Sequence, residues 1–161
     1  MRNGVIADSL RKAGCPRRLI WGVNLPQLSE IAAGLEKSVE LAEALWADSS
    51  LRESILLAPM VYPLESINIE RAREMVDDIL WAEEADILCF KLLRNADFAP
   101  DLARELCQSD RPLKRYAGLR LWFNIVAKHP SGALEAALGE LSRPEPLGLA
   151  SMLAEEARLF L

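Results

Sequence analysis

The feature that most constrains this 161-residue chain is a nearly unbroken succession of short helix patterns. Ala, Leu, Glu and Arg recur at spacings of three and four residues in LAEALWA, ERAREMVDDIL and LARELC, and that spacing places them on one face of a helix. Strands would be indicated by alternating runs rich in β-branched residues, and the sequence has almost none. We therefore predict an all-α protein.

Helix start signals divide the chain into nine or ten short helices. Pro26 suits a first helical turn that ends at Gly34, Ser50 and Glu53 form a capping-box pattern, and Pro112 opens another helix. Further starts are expected near Ser38, Asn68, Glu83, Pro100, Ser131 and Pro146. Starts every ~12 to 19 residues, taken as two helices per unit, match helical-pair repeats. We expect an α-solenoid, the alternative being an irregular helical globule.

The segment from Glu83 to Asn95 favours the solenoid. On a helical wheel most of its apolar residues share one arc, but Ile87 and Phe90 lie on the opposite arc. An apolar distribution around the whole helix indicates neighbours on two sides, as inner solenoid helices have. We therefore expect Ile87 and Phe90 to be buried.

Composition excludes several classes of protein. With 51% apolar and 27% charged residues, the chain can bury a core and is not intrinsically disordered. No apolar run approaches the ~18 residues that span a membrane, and the opening MRNGVIADSLRKAG lacks the apolar stretch of a secretory signal. We expect one domain, residues 1–161, located in the cytoplasm.

Few side chains suit metal or nucleotide chemistry. Cys15, Cys89 and Cys107 form no C-x-x-C pair, and His129 is the single histidine. No glycine-rich phosphate-binding motif is present. The acidic residues between 77 and 86 are explained by the preference of acids for first helical turns. We expect no metal site and no cofactor.

Charge is distributed unevenly, although its net value is −5. Residues 1–29 and 87–128 each have a net charge of +4, whereas residues 30–86 have −10 and residues 129–161 have −3. A coiled chain can gather the two basic segments on one face, but charge scattered over solvated helix faces is the simpler interpretation. The net charge predicts weak attraction to nucleic acid unless basic residues cluster.

Two charged residues lie at or within apolar helix faces. Asp86 lies at the edge of the apolar arc of its helix, and Arg115 projects at the same angle as Trp122. An unpaired buried guanidinium costs several kcal/mol, so Arg115 needs an anionic partner. The pair is either a buried ion pair that joins two helices or the lining of a cleft for an anionic ligand. Both interpretations predict that Asp86 and Arg115 lie close together. On the same helical wheel, Arg120 falls on the polar side of the helix that contains Arg115.

Three stretches resemble the AlkD-type DNA alkylation repair proteins. They are IWGVNLPQLSEIAAGLEKSVELAEALWADSSLRESILLAPMV, which resembles the family's opening phrase and next two helices; MVDDILWAEEADILCFKLL, which resembles its W-[DE]-x-x-D segment; and RPLKRYAGLRLWFNIV, which resembles its W-x-[RK]-R-x-A-x-x-x-L helix. The resemblance covers about residues 20–128. It implies a short right-handed solenoid of HEAT-like antiparallel helix pairs.

The resemblance also implies an activity. Such a protein is a glycosylase that hydrolyses the N-glycosidic bond of cationic N3- or N7-alkylated purines in duplex DNA, without metal or cofactor. Asp86 matches the family's catalytic aspartate, which stabilises the positive charge that develops on the deoxyribose. Arg115 matches its phosphate-binding arginine. The other candidates for contact with DNA are Trp81, Lys91, Arg94, Arg111 and Lys114.

The sequence departs from the family beside Asp86. Active members have an aromatic residue four positions earlier, where this chain has Ala82, and Trp81 stands one place too early. An aromatic face packed against the sugar favours a cationic transition state. A non-catalytic HEAT-repeat scaffold that binds a protein or nucleic acid is therefore the second hypothesis. An aromatic side chain beside Asp86 distinguishes the two.

Overall fold

Helices account for most of the residues that the computed structural model describes, which are residues 2–161. Apart from an isolated bridge between Leu19 and Leu51, the regular structure of this part of the chain is entirely helical. The all-α prediction is confirmed. The chain divides into two compact units, Met1–Ile67 and Asn68–Leu161.

Each unit is a group of short helices. Within the described residues the first unit contains α1 Gly4–Lys12, α2 Leu25–Ala33, α3 Val39–Ala47, α4 Arg52–Val61 and a 3-10 helix, Leu64–Ser66. The second unit contains α5 Ile69–Asp78, α6 Ala82–Lys91, a 3-10 helix, Leu93–Asn95, α7 Ala99–Cys107, α8 Pro112–Ile125, α9 Pro130–Leu141 and α10 Leu149–Leu159.

Most of the expected helix starts are confirmed, because caps and first-turn prolines act locally. The side chains of Ser38 and Asn68 accept backbone N–H bonds at the starts of α3 and α5. Pro26 and Pro112 lie in the first turns of α2 and α8. Helix α1 was not expected, although the side chain of Asn3 caps it.

The expected capping box of Ser50 and Glu53 is wrong. Helix α4 begins at Arg52 without a side-chain cap, and Ser50 donates instead to Asp48. The carboxylate of Glu53 is buried and accepts the backbone N–H groups of residues 21–23 at 3.1, 3.0 and 3.3 Å. A long-range set of hydrogen bonds has replaced the local one.

The helix expected from Glu83 to Asn95 also differs. Helix α6 ends at Lys91, and Leu92 leaves the helical conformation with φ −122° and ψ −66° before the 3-10 turn. Ile87 is buried, as expected, but Phe90 is 43% exposed. The guanidinium of Arg94 covers the Phe90 ring at 3.9 Å from its centroid, which replaces a packed helix as its neighbour.

Helix α8 lies at the centre of the second unit and packs against α6, α7, α9 and α10. Gly118 allows the close approach of α7. A Cβ atom added there would lie 2.8 Å from the sulfur of Cys107 and 3.0 Å from the carbonyl oxygen of Ala103. The absence of a side chain at Gly118 therefore allows α7 and α8 to pack in direct contact.

Candidate active site

The candidate site is a closed network of three side chains around Asp86, in the middle of α6. Oδ1 of Asp86 accepts the hydroxyl of Tyr116 at 2.7 Å and Nε of Arg120 at 2.7 Å. Nη2 of Arg120 in turn donates to the Tyr116 oxygen at 3.1 Å. Every member thus contacts the other two.

Helix geometry explains why α8 supplies both partners. Tyr116 and Arg120 are one turn apart, so their side chains project on the same side of α8. Cys89 lies about one turn after Asp86 in α6, and its thiol donates to the carbonyl of Ala117 in α8 at 3.5 Å. This buried contact holds the two helices in register beneath the network.

The network leaves one oxygen of the carboxylate unused. The Asp86 side chain is 37% exposed, and none of the residues 2–161 donates a hydrogen bond to its Oδ2. Oδ1 is therefore fixed by two donors, while Oδ2 is available to a group arriving from solution.

An aromatic residue of α8, Tyr116, lies next to the Asp86 carboxylate, to which its hydroxyl donates. The carbon at the centre of the Arg120 guanidinium lies 5.7 Å from the ring centroid of Tyr116 and 5.9 Å from that of Phe123. Both residues are partly buried. The aromatic surface that Ala82 does not provide is thus present on the neighbouring helix.

The electrostatics of the network keep Tyr116 and Arg120 in their usual protonation states. Burial, opposed by the hydrogen bond from Arg120 and reinforced by Asp86, raises the pKa of the Tyr116 hydroxyl. Burial alone would lower the pKa of Arg120, but the Tyr116 hydrogen bond and the charge of Asp86 outweigh it, so the pKa is raised. Tyr116 remains a neutral donor and Arg120 a cation.

Arg115 does not pair with Asp86, so the expected pairing is wrong. Its side chain is buried on another side of α8, where Nε donates to Glu140 of α9 at 3.0 Å. Its Nη1 donates to the carbonyls of Ser109 and Asp110 at 3.3 and 3.1 Å. The anionic partner that the apolar stripe required is Glu140, and the arginine of Asp86 is Arg120.

The other predicted contact residues fall into two groups. Arg111 and Lys114, at the start of α8, both pair with Asp77 of α5. Lys91 and Arg94 lie around the exposed ring of Phe90, their charged groups 5.6 and 3.9 Å from its centroid.

Trp81 is the residue before α6 and has an extended backbone, with a partly buried side chain. It takes no part in the hydrogen bonds of Asp86, which come from α8. In residues 2–161, no three side chains of His, Cys, Asp or Glu are grouped so that they could hold a metal ion. No helix in this part of the chain has the length and apolar character of a membrane span.

Comparison with known proteins gives the site its context. The family model described as DNA alkylation repair enzyme matches residues 1–147. The chain belongs to this family. No curated protein and no solved structure matches it. Membership of the DNA alkylation repair enzyme family supports a role in the repair of alkylated DNA and indicates DNA as a partner.

Proposed function

We propose that this DNA alkylation repair protein is a glycosylase that removes cationic N3- or N7-alkylated purines from duplex DNA, without a metal or cofactor. The observation that carries the proposal is the Asp86 carboxylate, which is fixed through Oδ1 and unbound at Oδ2. Departure of an alkylated purine leaves positive charge on the deoxyribose. A carboxylate already held in place stabilises that charge without reorganising.

The neighbours of Asp86 have distinct tasks in this proposal. Tyr116 positions the carboxylate and, with Phe123, supplies aromatic faces that favour a cation. Arg120 takes the phosphate-binding role that the family resemblance assigned to Arg115, because Arg115 is buried against Glu140. A DNA phosphate bound by Arg120 would weaken its ion pair with Asp86 and strengthen the field of the carboxylate at the sugar.

The finer architecture and location belong to the same proposal. We propose that residues 1–161 form one right-handed solenoid domain of HEAT-like antiparallel pairs that acts on alkylated duplex in the cytoplasm. In the second unit, α7 packs on α8 and α9 on α10, while α8 also contacts α6 and α10. Lys91, Arg94 and Trp81 remain candidates for contact with DNA. Arg111 and Lys114 must release Asp77 to do so.

Replacement of Asp86 by asparagine tests the proposal directly. We expect Asp86→Asn to lower the rate of base release from methylated duplex by roughly 100-fold or more, the cost of losing one preorganised electrostatic group. Affinity for DNA should be unchanged or higher, because a negative charge has been removed. Asp97→Asn is the matched control, since Asp97 is exposed and makes none of these contacts. Unchanged release by Asp86→Asn would refute the assignment, and a large loss of thermal stability would make Asp86 a structural residue.

Removal of a single hydroxyl tests whether Tyr116 positions Asp86. Tyr116→Phe keeps the ring and loses the 2.7 Å hydrogen bond, so we expect kcat for base release to fall about tenfold while KM and the melting temperature hardly change. A fall in melting temperature with unchanged kcat would contradict the positioning role.

The second candidate function is a helical scaffold, and one observation favours it. The first unit contains an apolar cavity of about 590 Å³ between α2 and α4, whose walls include the exposed side chains of Leu19, Trp21 and Ile31. Cavities of this size and character bind ligands or partner side chains. Binding of alkylated duplex with no base release under any condition would favour the scaffold.

A further inference from the structure

A cavity in the Asn68–Leu161 unit has the side-chain composition of an anion-binding site. It lies where the 3-10 turn after α6 meets the end of α8 and has a volume of about 220 Å³. Its walls are formed by Arg94, Asn95, Asn124, Ile125, Ala127 and Lys128. Two cations and two amides thus line it, and it has no carboxylate.

The two cations are unusual in this unit because they lack an acidic partner. Arg111, Lys114 and Arg120 each contact an aspartate. In contrast, Arg94 and Lys128 contact no carboxylate anywhere in residues 2–161. In a chain of net charge −5, two unpaired cations on one cavity make a local positive field that attracts an anion.

The side chains are also arranged to donate. The stacking of Arg94 on Phe90, at 3.9 Å from the ring centroid, restrains its guanidinium beside the cavity. The Nδ2 atom of Asn124 is buried without a hydrogen-bond partner in the described structure. This unpaired donor belongs to a residue of the cavity wall, so a ligand acceptor that the amide can reach would supply the partner it lacks.

The carbonyl end of α8 opposes an anion, but the effect is small. The carbonyl of Ile125 already accepts the N–H groups of Lys128 and His129 at 3.0 and 3.1 Å. A helix end acts as about half a charge, whereas Arg94 and Lys128 bring two full charges. The balance at the cavity therefore favours a negative ligand.

We propose that this cavity binds one phosphate group, held by Arg94, Asn124 and Lys128. The identity of this group rests on the proposed glycosylase function: it is a backbone phosphate of the damaged strand. Helix α6 lies beside α8 at the Asp86–Arg120 contact, and Arg94 and Lys128, which follow the two helices, line the same cavity. Asn124 lies ~6 Å beyond Arg120 along the axis of α8, and Lys128 lies in the turn that follows the helix. We therefore expect the phosphate roughly two to four nucleotides from the lesion, at 3.4 Å per phosphate.

The first experiment uses inorganic phosphate and no DNA. In a titration followed by amide NMR, we expect saturable shifts at Asn95, Asn124 and Lys128 for the full-length protein. Lys128→Gln should weaken the binding about tenfold, the loss of one charge-assisted hydrogen bond. Arg158→Gln is the matched control, because Arg158 is also exposed and contacts no carboxylate in residues 2–161. It should bind phosphate like the unmodified protein.

Two results would overturn the site. One is the absence of saturable shifts at any phosphate concentration, and the other is an equal effect of Lys128→Gln and Arg158→Gln. Asn124→Leu gives an independent check, since it removes the unpaired amide from a partly buried position and is expected to fold. It should also weaken phosphate binding.

The second experiment locates the phosphate in DNA. Single phosphates of an alkylated duplex are replaced by neutral methylphosphonates, and affinity is measured at low salt. We expect one position, two to four nucleotides from the lesion, at which the replacement weakens binding to the unmodified protein but not to Lys128→Gln. A uniform effect at every position would refute the assignment to the DNA backbone. If the unmodified protein binds phosphate at this site but releases no alkylated base, the proposed glycosylase function is refuted and the phosphate site is not.

Discussion

The buried pair of Arg115 and Glu140 allows the role of Arg115 to be tested by stability. The two side chains are 9% and 2% exposed, and Nε of Arg115 lies 3.0 Å from the carboxylate. In Glu140→Leu the guanidinium keeps only two backbone carbonyls as partners. Breaking a buried pair in this way costs about 3–5 kcal/mol, which for a chain of this size lowers the melting temperature by roughly 6 to 20 °C.

The reciprocal replacement should cost less. In Arg115→Met the carboxylate of Glu140 keeps its ion pair with Arg143, whose Nε lies 3.2 Å away, and still accepts the N–H of Leu147 at 3.1 Å. The double variant buries neither charge, and apolar groups of similar volume often replace a buried pair without loss. We therefore expect the double variant to be more stable than the sum of the single effects predicts, by about 0.5–3 kcal/mol.

Urea and thermal unfolding followed by circular dichroism measure all three variants. Strictly additive effects, or an unchanged melting temperature for Glu140→Leu, would refute the structural role of the pair. The DNA affinity of folded Arg115→Met supplies the second criterion, and we expect it to match the unmodified protein. A stable Arg115→Met protein that has lost DNA affinity would return to Arg115 the phosphate-binding role implied by the family resemblance.

Three further predictions follow from single sites. Gly118→Ala should lower the free energy of unfolding by about 1–3 kcal/mol, because the added Cβ overpacks against Cys107. Gly139→Ala should raise it by up to ~1 kcal/mol, because a Cβ at that position meets nothing within 4 Å. Urea unfolding measures the free energy of unfolding of both variants. Burial raises the pKa of Cys107 to about 12, so alkylation by iodoacetamide at neutral pH should be slow until the protein unfolds. Because the folded pKa of Tyr116 is raised, its contribution to stability should be complete below pH ~10 and fall as the pH rises through the folded pKa, which a pH series of melting temperatures detects.

Local features of the fold could be predicted from the sequence because their causes are local. Asn68 caps α5 and Pro112 begins α8, and both effects depend only on the neighbouring residues of the chain. Glu53 was misassigned for the opposite reason. Its partners are N–H groups of residues 21–23, and no pattern within the α4 sequence indicates them.

The candidate site was predictable only in part. A helical wheel gives the direction of a side chain but not the identity of its neighbour. It placed Arg115 correctly in an apolar face, yet the partner lies on α9, at Glu140. Arg120 was correctly assigned to the polar side, but that position concealed its contact with Asp86. The spacing of Tyr116 and Arg120, one turn apart, was the available signal and became meaningful once α6 was known to lie beside α8.

The net charge of the chain is a poor guide to its affinity for DNA, because pairing and burial decide which cations are available. In the ion pairs of Arg111 and Lys114 with Asp77, the arginine and the aspartate are about half exposed and the lysine about a quarter. Pairs open to solvent in this way are worth at most about 1 kcal/mol each. A phosphate can therefore displace Asp77, whereas it cannot reach Arg115 without unpacking α9. Arg94 and Lys128 have no carboxylate to displace among the described residues. The cations that contribute most to binding should thus be the unpaired ones at the ends of α6 and α8, followed by the exposed pairs at the start of α8.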